Sequence, residues 1–250
     1  QVQRAWDALT AIVGTSITPI TYINSHARLK DFCGRRGGTV CTSSNAKEAL
    51  RWGLGKAERA LFFPDEHLAT NTAEAISIGL SQIAVWDPHA EHGGLAEEQI
   101  RAAKVIAWKG YCHVHTRFIT DQILALKAKY PAMRFIVHPE CPREVVKMAD
   151  MAGSTGFIIR TIKESPPGSQ WGVGTEVNLV SRLGKEQPDK LVLPLTSSLC
   201  GTMYLTNTRN LLWVLESIVE GNYVNTITVP DEVTTGAMQA LETMLTITAR

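Results

Sequence analysis

Short apolar segments alternate with helical stretches along most of this chain, and this alternation constrains its fold more than any other feature. The segments are rich in β-branched and aromatic residues, as buried strands are, and they lie at 19–23, 39–41, 60–63, 83–86, 105–108, 135–138, 171–173 and 191–195. Strands separated by helices imply βαβ units, in which parallel strands carry helices on both faces of a sheet. We therefore predict an α/β fold with mostly parallel sheets in three-layer αβα domains.

The second half of the chain repeats the pattern of the first, at a distance of about 110 residues. Each copy ends in a cysteine that follows a strand, Cys112 in the first and Cys200 in the second. The repeat predicts one α/β domain over residues 17–111 and a second over residues 112–200. Residues 1–16 are then an N-terminal helix or linker. Residues 201–250 form a helical tail, with amphipathic helices at 204–220 and 232–249 around a short strand at 226–229.

Composition excludes several classes of protein. The 250 residues are 44% apolar and 20% charged, which is typical of a globular protein that can bury a core. The net charge of +1 gives no electrostatic sign of nucleic-acid binding. Five cysteines are too few for a disulfide scaffold, and no apolar run reaches the ~20 residues of a membrane span. Because no apolar leader opens the chain either, we expect a reducing, cytoplasmic setting.

Polar and reactive side chains collect where the predicted strands end. They are Tyr22 and Asn24, Ser43 and Ser44, Asp65 and His67, Cys112 and His115, His138 and Glu140, Ser154 and Thr155, and Glu176. In open α/β sheets, ligands bind at the carboxyl ends of the strands. Helix capping explains each serine, threonine or carboxylate singly, but it does not explain the excess of His, Cys and Tyr.

Two short spacings suggest chemistry. His138 and Glu140 stand two residues apart at a strand end, which suits an acid/base pair. Cys112 with His115, and His138 with Cys141, also have the spacing of a tetrahedral zinc site, so a zinc-binding α/β protein is an alternative.

The ordered set of motifs resembles the quinolinate synthase family, the iron–sulfur enzymes of de novo NAD biosynthesis. The motifs are Thr21-Tyr22-Ile23-Asn24-Ser25, Cys41-Thr42-Ser43-Ser44-Asn45, Pro64-Asp65-Glu66-His67-Leu68, Trp108-x-Gly110-x-Cys112-x-Val114-His115, His138-Pro139-Glu140-Cys141, Ala149-Asp150-x-x-Gly153-Ser154-Thr155, Gly174-Thr175-Glu176, Pro188-Asp189-Lys190 and Cys200-x-x-Met203. The match runs through nearly the whole chain, and the ordered set is far more specific than any one motif.

The resemblance implies three similar α/β domains around a pseudo-threefold axis, each giving one cysteine to a central [4Fe–4S] cluster. Three thiolates leave one iron open, so the cluster acts as a Lewis acid. The implied reaction condenses iminoaspartate with dihydroxyacetone phosphate to give quinolinate, phosphate and water. It also implies a functional link to an enzyme that oxidises aspartate.

The resemblance also implies roles for particular residues. Cys112 and Cys200 match two cluster ligands, and His138 and Glu140 match an acid/base pair. Tyr22 matches a residue that contacts substrate and takes part in proton transfer. The other implied substrate-binding residues are Asn24, Ser43, His115 and Thr155.

The chain departs from the family pattern at its start. The family's first domain, which carries the third cluster cysteine, would precede Tyr22, and the chain opens on Gln1 rather than Met. We therefore expect two of the three domains, with a tail that packs on the third, and a third cluster ligand from upstream sequence. A truncated, non-catalytic remnant that binds a dicarboxylate or a phosphate ester is the other alternative.

Overall fold

The computed structural model describes residues 1–249 and contains nine strands and twelve α-helices among them. The strands are β1 Ile17–Tyr22, β2 Thr39–Cys41, β3 Arg59–Phe63, β4 Ile83–Trp86, β5 Val105–Trp108, β6 Arg134–Val137, β7 Met151–Ala152, β8 Gln170–Gly174 and β9 Leu191–Pro194. The helices are α1 Val2–Val13, α2 Ala27–Arg35, α3 Ala46–Lys56, α4 Glu66–Ala75, α5 Glu97–Ala102, α6 Thr120–Lys129, α7 Arg143–Met148, α8 Thr155–Glu164, α9 Val177–Glu186, α10 Gly201–Tyr204, α11 Thr208–Val219 and α12 Asp231–Thr248.

The first sheet has five parallel strands in the order β2-β1-β3-β5-β4. All six residues of β1 are buried, as expected for a strand covered on both faces. One apolar cluster joins this sheet to α1, α2, α5 and α12, and a second joins its other face to α3 and α4. The predicted three-layer αβα architecture is therefore confirmed for this unit.

The second sheet has four parallel strands in the order β7-β6-β8-β9. Helices α6 and α7 cover one face around Phe135 and Val137, and α8 and α9 cover the other around Trp171. The architecture of the first unit thus recurs, as the repeat predicts. Strand β7 was not predicted, because two residues are too short for a periodic pattern.

Side chains tie the two units together. Arg143 of α7 forms a bidentate ion pair with Glu74 of α4, with nitrogen–oxygen distances of 2.5 and 2.9 Å. Asn71, also on α4, donates 2.8 Å hydrogen bonds to the carbonyl oxygens of Pro139 and Cys141. These contacts hold the loop after β6 against the first unit.

The two long C-terminal helices differ in their surroundings. Helix α12 packs on α2, where an added side chain at Gly34 would clash with the backbone of Gly236. Helix α11 is largely exposed, and Trp213 keeps 49% of its surface accessible. The predicted strand at 226–229 is wrong, because residues 224–230 form a turn and an extended loop without ladder partners. The packing of the tail on a further domain stays a prediction for residues 201–219, whereas α12 belongs to the first unit.

The described residues contain no helix that is both long and apolar enough to cross a membrane. The predicted domain limits stay predictions, although the strands of the first sheet lie within residues 17–108 and those of the second within 134–194. The packing of helix α1 on the first sheet was not expected from the sequence. Its apolar side, including Leu9, is buried against the first sheet.

Candidate functional site

A cavity of about 1150 Å³ lies where the carboxyl ends of the two sheets meet. Its lining includes most of the predicted site residues, namely Tyr22, Asn24, Cys112, His115, His138, Glu140, Thr155 and Cys200. Loops after parallel strands emerge at one edge of each sheet, so side chains far apart in sequence converge here. Ser43 is the one predicted site residue that does not line the cavity, although it lies beside the Tyr22 phenol.

The loop after β5 is fixed by the turn that precedes α4. Asp65 caps α4 by accepting a 2.6 Å hydrogen bond from the Leu68 amide, and its other oxygen accepts one of 3.0 Å from the Cys112 amide. The Glu66 amide donates to the Gly110 carbonyl at 2.9 Å. A side chain at Gly110 would clash with the Pro64 carbonyl oxygen, so this close approach requires glycine. The backbone around Cys112 is therefore placed by buried contacts.

Two histidines and one carboxylate form a buried cluster beside this loop. The His115 and His138 rings stack with their centroids 4.3 Å apart. Glu140 Oε2 lies 3.2 Å from His115 Nδ1 and 3.1 Å from His138 Nδ1. The Glu140 amide donates to His138 Nδ1 at 3.3 Å, and His115 Nε2 lies 3.2 Å from the Thr175 hydroxyl. The predicted pair of His138 and Glu140 is thus part of a triad that includes His115.

The three ionisable groups of the cluster have shifted pKa values. Burial disfavours the charged form of Glu140, but contacts with both imidazoles outweigh it and lower its pKa to about 2. Burial also disfavours protonated His115, yet contacts with Cys112 and Glu140 raise its pKa to about 9. Burial lowers the pKa of His138, with a further contribution from charged His115. At neutral pH the cluster holds a charged His115–Glu140 pair beside a neutral His138.

Two further ionisable side chains, Tyr22 and Asp65, line the same cavity, and both have raised pKa values. Burial and the Glu140 charge raise the pKa of Tyr22 well above its usual value of 10.0, so the phenol keeps its proton at neutral pH. Burial, followed by the Glu140 charge, raises the pKa of Asp65 to about 7. Asn24 and Thr155 are exposed at the rim, and Thr155 is the first residue of α8, behind the Ser154 cap.

The loop after β9 brings Cys200 to the cavity. Ser198 is fully buried, and its hydroxyl donates a 2.7 Å hydrogen bond to the carbonyl of Val114, two residues after Cys112. The Ser198 carbonyl accepts a 2.9 Å bond from the Val177 amide at the start of α9. One side chain therefore connects the loops that carry the two predicted thiol ligands.

The five cysteines divide into two groups. Cys112 and Cys200 are partly exposed and line the cavity, whereas Cys33, Cys41 and Cys141 are buried. The Cys141 thiol donates to the Gly174 carbonyl at 3.6 Å, and burial raises its pKa. The predicted zinc set of Cys112, His115, His138 and Cys141 is therefore wrong. The groups able to hold a metal ion are Cys112, His115 and Glu140, whose ligand atoms lie within 4.8 Å of one another.

Sequence reasoning missed three residues of the site. Thr175 and Ser198 contact His115 and Val114 through buried hydroxyls. Arg182 of α9 lines the cavity, where it is the sole Lys or Arg side chain among the described residues. Arg182 lies six residues beyond the Glu176 cap, in the second turn of α9, and no motif in the sequence marked it as a site residue.

Comparison with known proteins agrees with these observations. The protein family described as "NadA: Quinolinate synthetase A protein" matches residues 1–246. The quinolinate synthase of Rhodopirellula baltica is 46% identical over 251 residues, covering 99% of this chain and 64% of that protein. The Nocardioides sp. enzyme is 49% identical over 258 residues, covering 99% and 65% of the two chains. The one from Geobacillus kaustophilus is 47% identical over 249 residues, covering 99% and 68%.

The chain thus spans about two thirds of the length of these curated relatives. The family match over residues 1–246 includes both αβα units and the whole stretch that lines the cavity, from Tyr22 to Met203. The residues that match the family therefore include all the residues that form the cavity. The chain belongs to the quinolinate synthetase A family.

Proposed function

We propose that this chain forms the catalytic part of a quinolinate synthase, which condenses iminoaspartate with dihydroxyacetone phosphate to give quinolinate, phosphate and water. The observation that carries the proposal is the cavity itself. It collects a buried His–His–Glu cluster, a protonated phenol and two accessible thiols at the joined strand ends of a chain from this family.

The cavity fits a [4Fe–4S] cluster in part. Cys112 and Cys200 would hold it, because they are the partly exposed thiols, while the other three cysteines are buried away from the cavity. A third thiolate would come from residues outside this chain. When bound, such a cluster with one open iron supplies a Lewis acid that polarises substrate oxygens.

The chain's own residues supply proton transfer. His138 is neutral at neutral pH and lies beside the Glu140 carboxylate, so its imidazole accepts a proton as substrate loses one. Glu140 stays charged at neutral pH and completes the acid/base pair, because its carboxylate stabilises the imidazole that has taken up the proton. Tyr22 keeps its proton and donates to a substrate oxygen.

Binding and orientation of anionic substrates fall to the cavity rim. Arg182 provides a planar guanidinium suited to carboxylate or phosphate, and Asn24 and Thr155 add hydrogen-bonding groups nearby. Ser43 contributes through its contact with Tyr22. The proposed substrates carry two carboxylates and one phosphate, which suits this set.

The proposed context is a reducing cytoplasm with a functional link to an aspartate-oxidising enzyme. An imine hydrolyses in water, so its supplier must deliver it promptly. The free thiols Cys112 and Cys200 need a compartment in which disulfides do not form.

The test is to express the chain anaerobically with its upstream sequence restored and to measure iron, sulfide and quinolinate formation. We expect a brown protein that forms quinolinate, and loss of iron and activity in Cys112→Ser and Cys200→Ser. Cys33→Ala, which changes a buried thiol away from the cavity, should retain both. A colourless, iron-free full-length protein that binds small anions without turnover would instead support the non-catalytic remnant.

A further inference from the structure

We propose that Asn71 is a positioning residue for the reaction, because its side chain holds the backbone on both sides of Glu140. Asn71 lies on α4 of the first unit, whereas Glu140 follows β6 in the second. Asn71 does not line the cavity, so it acts on the reaction only through the residues that it holds. The inference rests on the proposed function and concerns a residue outside the ordered set of motifs.

Two hydrogen bonds from one amide group flank Glu140. The Nδ2 atom of Asn71 donates at 2.8 Å to the carbonyl of Pro139 and at 2.8 Å to the carbonyl of Cys141, the residues directly before and after Glu140. An amide nitrogen carries two hydrogens, so the pair of bonds uses both. Within residues 1–249 neither carbonyl receives a hydrogen bond from another group. The peptide group that precedes Glu140 and the one that follows Cys141 are therefore both held by Asn71.

The position of this backbone decides whether Glu140 reaches its two imidazoles. Glu140 Oε2 lies 3.2 Å from His115 Nδ1 and 3.1 Å from His138 Nδ1, and all three side chains are buried. One oxygen meets both nitrogens only from a narrow range of positions. A shift of about 1 Å in the backbone would move one of these contacts beyond hydrogen-bond distance. The arrangement of the acid/base pair thus depends on how firmly the loop is held.

Helix α4 is a suitable support for this loop, because it also holds the loop of Cys112. Its N-cap residue, Asp65, accepts hydrogen bonds from the amides of Leu68 and Cys112. Leu68 is fully buried in the apolar cluster of the first sheet, and Asn71 is buried as well. Asparagine is a poorer helix former than alanine, and its two bonds to the neighbouring loop give a reason for its place within α4. One buried helix therefore positions both loops.

A general role in docking the two units is the alternative, and a neighbouring contact separates it from positioning. Glu74, one turn further along α4, forms ion pairs with Arg143 and Lys147 of α7. These pairs join the same two units but involve neither Pro139 nor Cys141. Glu74→Gln is therefore a matched change that weakens the docking and leaves the bonds of Asn71 in place.

The kinetic test uses the full-length protein with its upstream sequence restored, prepared anaerobically. In Asn71→Ala we expect kcat for quinolinate formation to fall about 10-fold to 100-fold while KM changes less than about threefold, because a misplaced acid/base group affects the chemical step. Asn71→Leu has a side chain of the same branched shape without a donor, so it repeats the test without leaving a cavity. Glu74→Gln should keep kcat within about twofold.

A double-mutant cycle tests whether Asn71 acts through Glu140. Glu140→Gln alone removes the carboxylate and lowers kcat. If Asn71 acts by placing this carboxylate, adding Asn71→Ala to Glu140→Gln lowers kcat by less than about twofold more. A further fall as large as that in the unchanged background overturns the proposal, and so does an equal fall of kcat in Glu74→Gln and Asn71→Ala.

Amide hydrogen exchange tests the same contact without measuring activity. The amides of Glu140 and Cys141 donate to Nδ1 and to the carbonyl of His138. We expect these amides to exchange at least about tenfold faster in Asn71→Ala and Asn71→Leu, and at the unchanged rate in Glu74→Gln. Circular dichroism confirms that each variant folds.

Unchanged exchange in both Asn71 variants overturns the proposal. An unchanged protein that forms no quinolinate contradicts the proposed function instead, and the exchange rates then decide by themselves whether Asn71 holds the loop of Glu140. The two failures are therefore distinguishable.

Discussion

The loops that carry Cys112 and Cys200 follow strands of two similar parallel sheets, yet they are held in different ways. The backbone of the first loop is held in place, because the Cys112 amide donates to the Asp65 carboxylate and Gly110 packs closely against Pro64. The second is attached to the first through the Ser198 hydroxyl and then continues into exposed helices.

This difference indicates which side of the cavity is rigid. Several residues hold the backbone of the Cys112 loop, whereas the Cys200 loop is held at Ser198 alone, through its hydroxyl and its carbonyl. A loop held at one residue moves when the bonds of that residue are lost. We expect the Cys112 loop to be preformed and the Cys200 loop to adjust around whatever binds in the cavity.

Gly110→Ala is expected to have the largest effect, because its new Cβ would clash with the Pro64 carbonyl oxygen. We expect a loss of about 3 kcal/mol in the free energy of unfolding, measured by urea denaturation. The matched change in the other loop, Gly201→Ala, meets nothing within 4 Å and should stay within about 0.5 kcal/mol. Equal effects of the two substitutions would contradict the comparison.

Asn71→Ala removes both hydrogen bonds from α4 to the loop of His138 and Glu140. Because two carbonyl oxygens lose their donor, we expect a loss of about 2 kcal/mol in the free energy of unfolding. Thr70→Ala, at the preceding position on α4, is the control, since the described structure gives this side chain no hydrogen bond. An Asn71→Ala protein as stable as the control would show that these bonds do not hold the two units together.

Ser198→Ala should cost about 1–2 kcal/mol, because the buried Val114 carbonyl loses the hydroxyl that donates to it. We also expect faster alkylation of Cys200, followed by peptide mass spectrometry, with little change at Cys112. Ser197→Ala changes an exposed neighbour and should alter neither rate. Faster alkylation of Cys112 than of Cys200 would reverse the assignment of the rigid loop.

The smallest expected effect concerns the ion pair between the units. Among the interactions that lower the pKa of Glu74, the hydrogen bond from Arg143 is the largest. A lowered folded-state pKa means that the stabilisation is present above about pH 4.3 and is lost as the pH falls through the folded value. The stability difference between the unchanged chain and Glu74→Gln should be about 0.5 kcal/mol at pH 7 and shrink at low pH.

The control for this titration is Glu144→Gln on α7, an exposed carboxylate without an ion pair in the described part of the chain. Its stability difference should stay near zero at every pH. A Glu74→Gln difference that does not change with pH would rule out the ion pair as its source.

The alternation of apolar runs and helices was sufficient to predict the α/β class and the repeat. It was sufficient because both faces of each sheet are buried, so the strands are continuously apolar and easily seen. Capping, the simpler explanation for several of the polar residues, holds for Asp65, Ser154 and Glu176. It does not hold for Thr155, which is the first residue of α8, or for Ser43, because the N-cap of α3 is Asn45. The strand predicted at 226–229 is wrong, since β-propensity without a partner strand is not sufficient.

The sequence by itself determined most of the strands and helices, their order along the chain and the set of polar residues at the strand ends. The tertiary structure decided which of them meet. Sequence spacing joined His138 to Cys141, whereas folding turned the Cys141 thiol toward the Gly174 carbonyl and joined Glu140 to His115. The physical reason is that local sequence fixes backbone periods and caps, while contacts between residues far apart depend on how two separate sheets pack.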